Sequence, residues 1–189
     1  MIEKLNVNKD KDSFLKALEL SEVEIYYPLK NKLSYITFLK DYRKLRHKIF
    51  VYTYKIDNKF AGYLIIIKDF NRYKKSFIVY HPIVSFYLIL KRYSLRIKVK
   101  SSSYNQIWSE SNETIAKVIN IHVFEEFRGL GIANMLYENA FKDLKSMGVK
   151  RLDASLNINN NSSLRLHKKS GFLEVGKTDS KYYFSKLIN

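Results

Sequence analysis

Residues 115–133 read IAKVINIHVFEEFRGLGIA: an apolar, β-branched run, a short charged stretch, then two glycines one residue apart at the head of a segment with helical spacing. The chain holds only six glycines, so a pair at one junction marks a place where a side chain would obstruct the backbone. A strand that enters a helix through such a turn presents unpaired backbone N–H groups at the positive end of the helix dipole. Gly129 and Gly131 lack a Cβ and let that backbone approach a bulky anion, Arg128 adds a fixed positive charge, and Ala133 carries the need for small residues into the first turn. The loop reads as a phosphate site. It is not the dinucleotide fingerprint GxGxxG, whose third glycine would fall where Asn134 stands, and the triphosphate loop GxxxxGK[ST] has no match.

Around this junction the spacing predicts helices over 13–20 and 29–49, the second with Leu33, Ile36, Leu39, Tyr42 and Leu45 on one face. Strands over 50–56 and 60–67 flank Asp57-Asn58-Lys59, a hairpin signal. Residues 83–99 form a basic, apolar helix, with Ile83, Phe86, Tyr87, Leu90 and Ile97 near helical spacing and Lys91, Arg92, Arg96, Lys98 and Lys100 towards its end. Two readings of it stand: a core helix with a basic end, or an interfacial helix that meets anionic lipid or a large anionic substrate. Residues 101–112 read as a loop. A strand (115–123), a helix (131–147, stopped at Gly148), a strand (151–156), a helix (161–169) and two strands (172–177, 181–188) complete the chain.

A chain of 189 residues, 46% of them hydrophobic, suits one domain over 1–189 with a real core. Without cysteine it has neither a disulfide framework nor a thiolate metal site. His47, His81, His122 and His167 are scattered without ligand spacing, so no metal is expected. The N-terminus lacks a secretory pattern, and the longest apolar run, 77–90, is interrupted by His81 and Pro82 and falls short of the ~20 residues that cross a bilayer. The expected location is cytoplasmic, with peripheral contact at the inner membrane surface. A net charge of +16 favours phosphate-rich partners, although abundant Lys, Asn, Ile, Tyr and Phe also follow from A/T-rich codons.

The run from Val123 to Lys177 resembles the cofactor half of the GNAT acetyltransferase superfamily. Its pyrophosphate loop, Arg/Gln-x-x-Gly-x-Gly/Ala, is met by Arg128, Gly131 and Ala133. A second signature, Asn followed by an aromatic residue or His and then Gly-Phe, is met by Asn160, His167, Gly171 and Phe172. The resemblance covers the C-terminal third closely and the first hundred residues by the order of strands and helices. It implies an α/β fold: a mixed, largely antiparallel sheet with a central splayed pair of parallel strands, flanked by helices. It also implies acetyl-CoA as co-substrate, held between the splayed strands by residues of 114–189, with 1–100 as the acceptor side. Ile121 and Val123 would hold the pantetheine through their backbones, Arg128, Gly129, Leu130, Gly131, Ile132 and Ala133 the pyrophosphate, and Asn160 the pantetheine arm.

Acyl transfer to an amine needs a deprotonated nucleophile, a polarised thioester and a proton for the departing thiolate. Family members commonly use a tyrosine before Gly-Phe for the last task; His167 stands there, and an imidazolium can donate to sulfur. For a base they often place Glu or His on the strand before the loop, on the face that strict alternation gives to Lys117, Ile119, Ile121 and Val123. Asn120 and His122 then turn to the other face unless a bulge intervenes. Glu113, with Glu110, is the acidic alternative, and a water relay another. Tyr182 and Tyr183 read as acceptor contacts or core. The expected reaction is direct attack by a primary amine in a ternary complex. The amine is an amino sugar or a nucleotide- or lipid-linked amino sugar, with a protein or peptide amine, or a non-catalytic RNA- or membrane-binding module, as alternatives. An anionic membrane and a second copy of the chain are further candidate partners. Nucleic acid ranks below them, since Tyr87, Lys91, Arg92, Tyr93 and Arg96 interleave aromatic and basic residues only crudely.

Overall fold

The computed structural model describes residues 1–21, 32–45, 47–94 and 114–188. Asp57 and Asn58 both adopt left-handed backbone, at φ 48° and 62°. That matches the twist of a two-residue hairpin turn. It joins β2 (Ile49–Ile56) to β3 (Lys59–Lys68). β1 (Ile2–Lys4) adds to β2, and α1 (Val7–Leu20) and α2 (Lys32–Lys44) lie between them in sequence. After β3 come α3 (Phe70–Tyr80) and α4 (Pro82–Ser94), then β4 (Ile115–Val123), a 3-10 turn (Glu125–Phe127) and α5 (Ile132–Ser146). β5 (Arg151–Asn157), α6 (Asn161–Lys169), β6 (Leu173–Lys177) and β7 (Lys181–Leu187) close the chain.

The strands form one seven-stranded sheet in the order β1-β2-β3-β4-β5-β7-β6, antiparallel except between β4 and β5. β3 is buried on both faces, so its period of two divides it between two cores. Tyr63, Ile65 and Ile67 face α1 and α2, with Phe14, Leu18, Tyr35 and Phe38. Leu64 and Ile66 face α5, with Leu136, Tyr137 and Ala140. An ion pair from Lys55 Nζ to Asp10 Oδ1, 2.7 Å and nearly buried, ties α1 to β2.

The mixed sheet, the parallel pair and the helical flanks agree with the expected α/β class. Several expectations require correction. The three-residue β1 was too short to show a period, and α3 was missed although Phe70, Tyr73 and Phe77 recur at helical spacing. α1 starts earlier than expected, at Val7, because Asn6 caps it by accepting a bond from Asn8 N–H. Ile49 belongs to β2 rather than to the preceding helix.

The largest correction concerns β4. Ile65 pairs with Asn120 and Ile66 with Val118, so Ile119 is left over as a β-bulge. Alternation restarts beyond it. Ile119 and Phe124 pack on the α1–α2 side, whereas Ile121 and Val123 pack on the α5 side. Lys117 is thus separated from Ile121 and Val123, and Asn120 and His122 come to the face that strict alternation denied them.

β4 and β5 pair over three residues only, Ile115–Lys117 with Arg151–Asp153. β4 then continues along β3 as far as Val123 opposite Gly62. A Cβ on Gly62 would stand 2.9 Å from the His122 carbonyl oxygen and 3.2 Å from methyls of Ile132 and Val123. Gly62→Ala should therefore destabilise the protein by about 1–3 kcal/mol through overpacking against backbone, measured by urea denaturation; an unchanged midpoint would show that β4 can move aside.

Candidate functional site

Two consequences follow where β4 parts from β5. In an antiparallel ladder alternate residues turn their N–H and C=O groups towards the partner strand. Phe124 N–H donates to Ala61 O at 3.0 Å. That assigns the polar groups of Phe124 and His122 to β3 and turns those of Ile121 and Val123 towards β5, where no ladder continues past Lys117. Ile121 and the N–H of Val123 are thus left without a ladder partner on that side, while Val123 O accepts from Arg128 Nε at 3.3 Å.

The loop beyond β4 delivers the chain to α5. Phe127 N–H and Arg128 N–H close the 3-10 turn on Phe124 O and Glu125 O. Gly129 and Gly131 are left-handed, at φ 83° and 73°. Nothing lies within 4 Å of where a Cβ on either would stand, so the concavity faces open space. The first α5 bond runs from Met135 N–H to Gly131 O at 3.1 Å, leaving the amides before it without intrahelical acceptors. Arg128 is exposed, and its 3.9 Å approach to Glu125 is loose enough for an anion to displace. The side chain of Ile132 is buried in the α5 core while Leu130 is exposed, so each brings only its N–H to the concavity. Asn160 is the N-cap of α6: its Oδ1 accepts from Ser163 N–H at 3.0 Å, which leaves its amide NH2 as the free end.

His167 occupies a different environment from the one expected. It is only 1% exposed. A carbonyl can only accept, so the 2.7 Å contact to Ser163 O fixes the proton on Nδ1. Nε2 then accepts from Tyr137 Oη at 2.8 Å, and the ring lies among Phe172 and Phe184. Burial pushes its pKa below the usual histidine range, against the opposing effect of the Ser163 bond. A neutral ring with both nitrogens engaged is a poor source of protons for sulfur, and the geometry is that of a core hydrogen-bond anchor.

His122, by contrast, stands on the bulged strand against Tyr63, centroids 5.8 Å apart, with Phe124 edge-on at 4.8 Å. Partial burial, with the Arg128 charge second, lowers its pKa, so it is neutral and basic near pH 7. Glu110 and Glu113 lie outside the described residues. Tyr182 packs against the α5 core beneath Lys177, whose Nζ is 5.0 Å from the ring centroid, and Tyr183 pairs with Ser155.

Sequence reasoning passed over Asp153. It is the register partner of Lys117, where β4 and β5 last pair, and is 1% exposed. Ser185 Oγ donates to its Oδ1 at 2.9 Å, and Arg151 Nε lies at 3.2 Å. Burial still wins over these partners and pushes the carboxyl up to about 6. The available signal was a lone acid flanked by Leu152 and Ala154 in the middle of a strand.

Two predictions follow from these buried groups. His167→Ala strands the Tyr137 hydroxyl and opens a cavity, and should cost about 3 kcal/mol in urea denaturation at neutral pH; no loss would remove the anchor role. The folded-state pKa of Asp153 is raised, so its contribution to stability is present below pH ~4 and lost as pH rises through about 6. Asp153→Asn should flatten that slope, visible as denaturation midpoints that differ less between pH 4 and pH 7 than those of the parent.

The family model "Acetyltransferase (GNAT) family" matches residues 15–172. Among solved structures, the chain resembles a GNAT-family acetyltransferase from Streptococcus pneumoniae, with a TM-score of 0.63 at 16% identity, covering 100% of this chain and 99% of that one. It also resembles an N-acetyltransferase from Staphylococcus aureus Mu50, with a TM-score of 0.63 at 15% identity over 100% and 98% of the two chains. Arabidopsis thaliana NAA60, solved in complex with acetyl-CoA, gives a TM-score of 0.61 at 18% identity over 100% and 98%. A search of curated proteins returned no match.

Proposed function

Because the chain belongs to the acetyltransferase (GNAT) family, we propose that it transfers an acetyl group from acetyl-CoA to a primary amine that attacks directly in a ternary complex. The observation that carries this reading is the concavity at Gly129–Gly131, with open space at both left-handed glycines, an exposed Arg128 beside it and unpaired helix amides behind it. That donor set suits a pyrophosphate. The backbone groups of Ile121 and Val123 suit the amide-rich pantetheine arm, and the free amide end of Asn160 supplies a further donor. Bound there, acetyl-CoA supplies an activated acyl thioester.

The chain's own residues account for the amine side. His122, neutral near pH 7, takes the proton that the substrate ammonium must lose before the free amine attacks, directly or through water, and CoA leaves as a thiolate that takes a proton from solvent. The bulge at Ile119 supports this role, because it turns His122 onto the face opposite α5. His167 serves as a positioning residue: through Tyr137 it fixes α6 against α5.

Calorimetric titration with acetyl-CoA tests the cofactor reading. The parent should bind, and Arg128→Glu/Gly131→Glu, which inverts the charge and forces a side chain into left-handed backbone, should weaken binding at least about tenfold, or ~1.4 kcal/mol. A folded parent that does not bind would overturn it. Thiol release in the presence of amino sugars and peptide N-termini then identifies the acceptor. With that acceptor, His122→Gln should lower kcat by about 100-fold while leaving acetyl-CoA binding intact. The parent's rate should fall as pH drops through the lowered His122 pKa, below 6.5; an unchanged rate in the variant would exclude His122 as base.

A further inference from the structure

β3 and β4 are antiparallel neighbours, and such strands need only a few residues to connect them. Here Asp69 to Thr114 intervene, although the neck is closed by a bond from Asp69 N–H to Ile115 O at 2.9 Å. The fold does not require this excursion, so its surface calls for its own explanation. Its described part is the α3–α4 pair. One side is fastened to the body: Tyr73 and Phe77 are buried, Tyr73 Oη donates to Asp41 Oδ2 at 3.0 Å, and His81 Nε2 lies 2.5 Å from Asp41 Oδ1. Asp41 itself is buried on α2.

The other side has the composition of a core and is turned outward. Ile83, Phe86, Tyr87 and Leu90 recur at the spacing of one helix face, and they are 83%, 63%, 44% and 50% exposed, which is the interfacial rather than the core reading of this helix. Ile78, Val79 and Tyr80 extend the exposed apolar surface onto α3. Between Asp69 and Glu110 the sequence holds eight Lys and Arg residues and no carboxylate. Among the described residues no helix is long and apolar enough to cross a membrane. An exposed apolar face in a wholly basic setting, too short to span, has the makings of an interfacial helix.

We propose that the α3–α4 pair docks the protein on an anionic lipid surface, with Ile83 and Phe86 entering the headgroup region and the net positive charge of the segment drawing it to lipid phosphates. Charge separates this from a second copy of the chain. A twofold interface would set the same acid-free stretch against itself, whereas an anionic bilayer complements it. The inference does not depend on the proposed chemistry.

The test is co-sedimentation of the full chain with phosphatidylcholine vesicles, with and without phosphatidylglycerol, alongside sedimentation velocity of the free protein. The parent should partition onto the phosphatidylglycerol vesicles, bind pure phosphatidylcholine at least about tenfold more weakly, and release as salt is raised. Ile83→Glu/Phe86→Glu changes only exposed side chains and should lose at least about tenfold in partitioning. Its circular dichroism and acetyl-CoA titration should match the parent's, which separates failure here from failure of the acyl-transfer reading. Equal binding to both vesicles, a parent that stays in the supernatant, or a parent dimer that the variant dissociates without any vesicle binding would each overturn the proposal.

Discussion

β4 is held by β3 along its whole length and by β5 for three residues only, and the candidate site depends on that inequality. A sheet strand normally spends its backbone groups on two neighbours. Where one neighbour departs, the backbone groups of Ile121 and the N–H of Val123 are left without a ladder partner, and Val123 O turns to Arg128 instead. The close approach of Gly62 to the His122 carbonyl and to Ile132 holds the end of β4 against β3 and α5. The glycine loop is therefore aimed by a sheet defect upstream of it as much as by its own sequence.

The opposite half of the divide is held by aromatic packing. Tyr137, Phe141, His167, Phe172 and Phe184 form a connected set linking α5, α6 and β7. The Tyr137–His167 bond satisfies two polar groups that would otherwise be costly to bury. The second family signature thus reads in physical terms as a cap at Asn160, an anchor at His167 and a ring at Phe172 that seat α6 beside the departing strand.

Elements of strong period were legible in the sequence: the Asp57-Asn58 turn, both strands beside it, β4, α5 and the glycine loop all stand where residue spacing placed them. The order of faces on β4 was not, because a bulge shifts alternation without leaving a residue type that announces it. His167 was misread for a related reason. A histidine before Gly-Phe reads as a proton donor until Tyr137, thirty positions earlier in the chain, is brought against it and both ring nitrogens are engaged. Asp153 was invisible because its character comes from burial between β4 and β7. The apolar stripe of α4 had a correct period, and its exposure decides against the core reading of the two that the sequence left open, since periodicity reports that a face is apolar and says nothing of what lies against it.

The bond between Asp69 and Ile115 at the root of the α3–α4 excursion carries a consequence for engineering. The entropy of closing the segment above that point grows only with the logarithm of its length, and the buried Tyr73 and Phe77 of α3 offset part of that cost. Such a neck lets the catalytic scaffold exchange one appendage for another without renegotiating its strands.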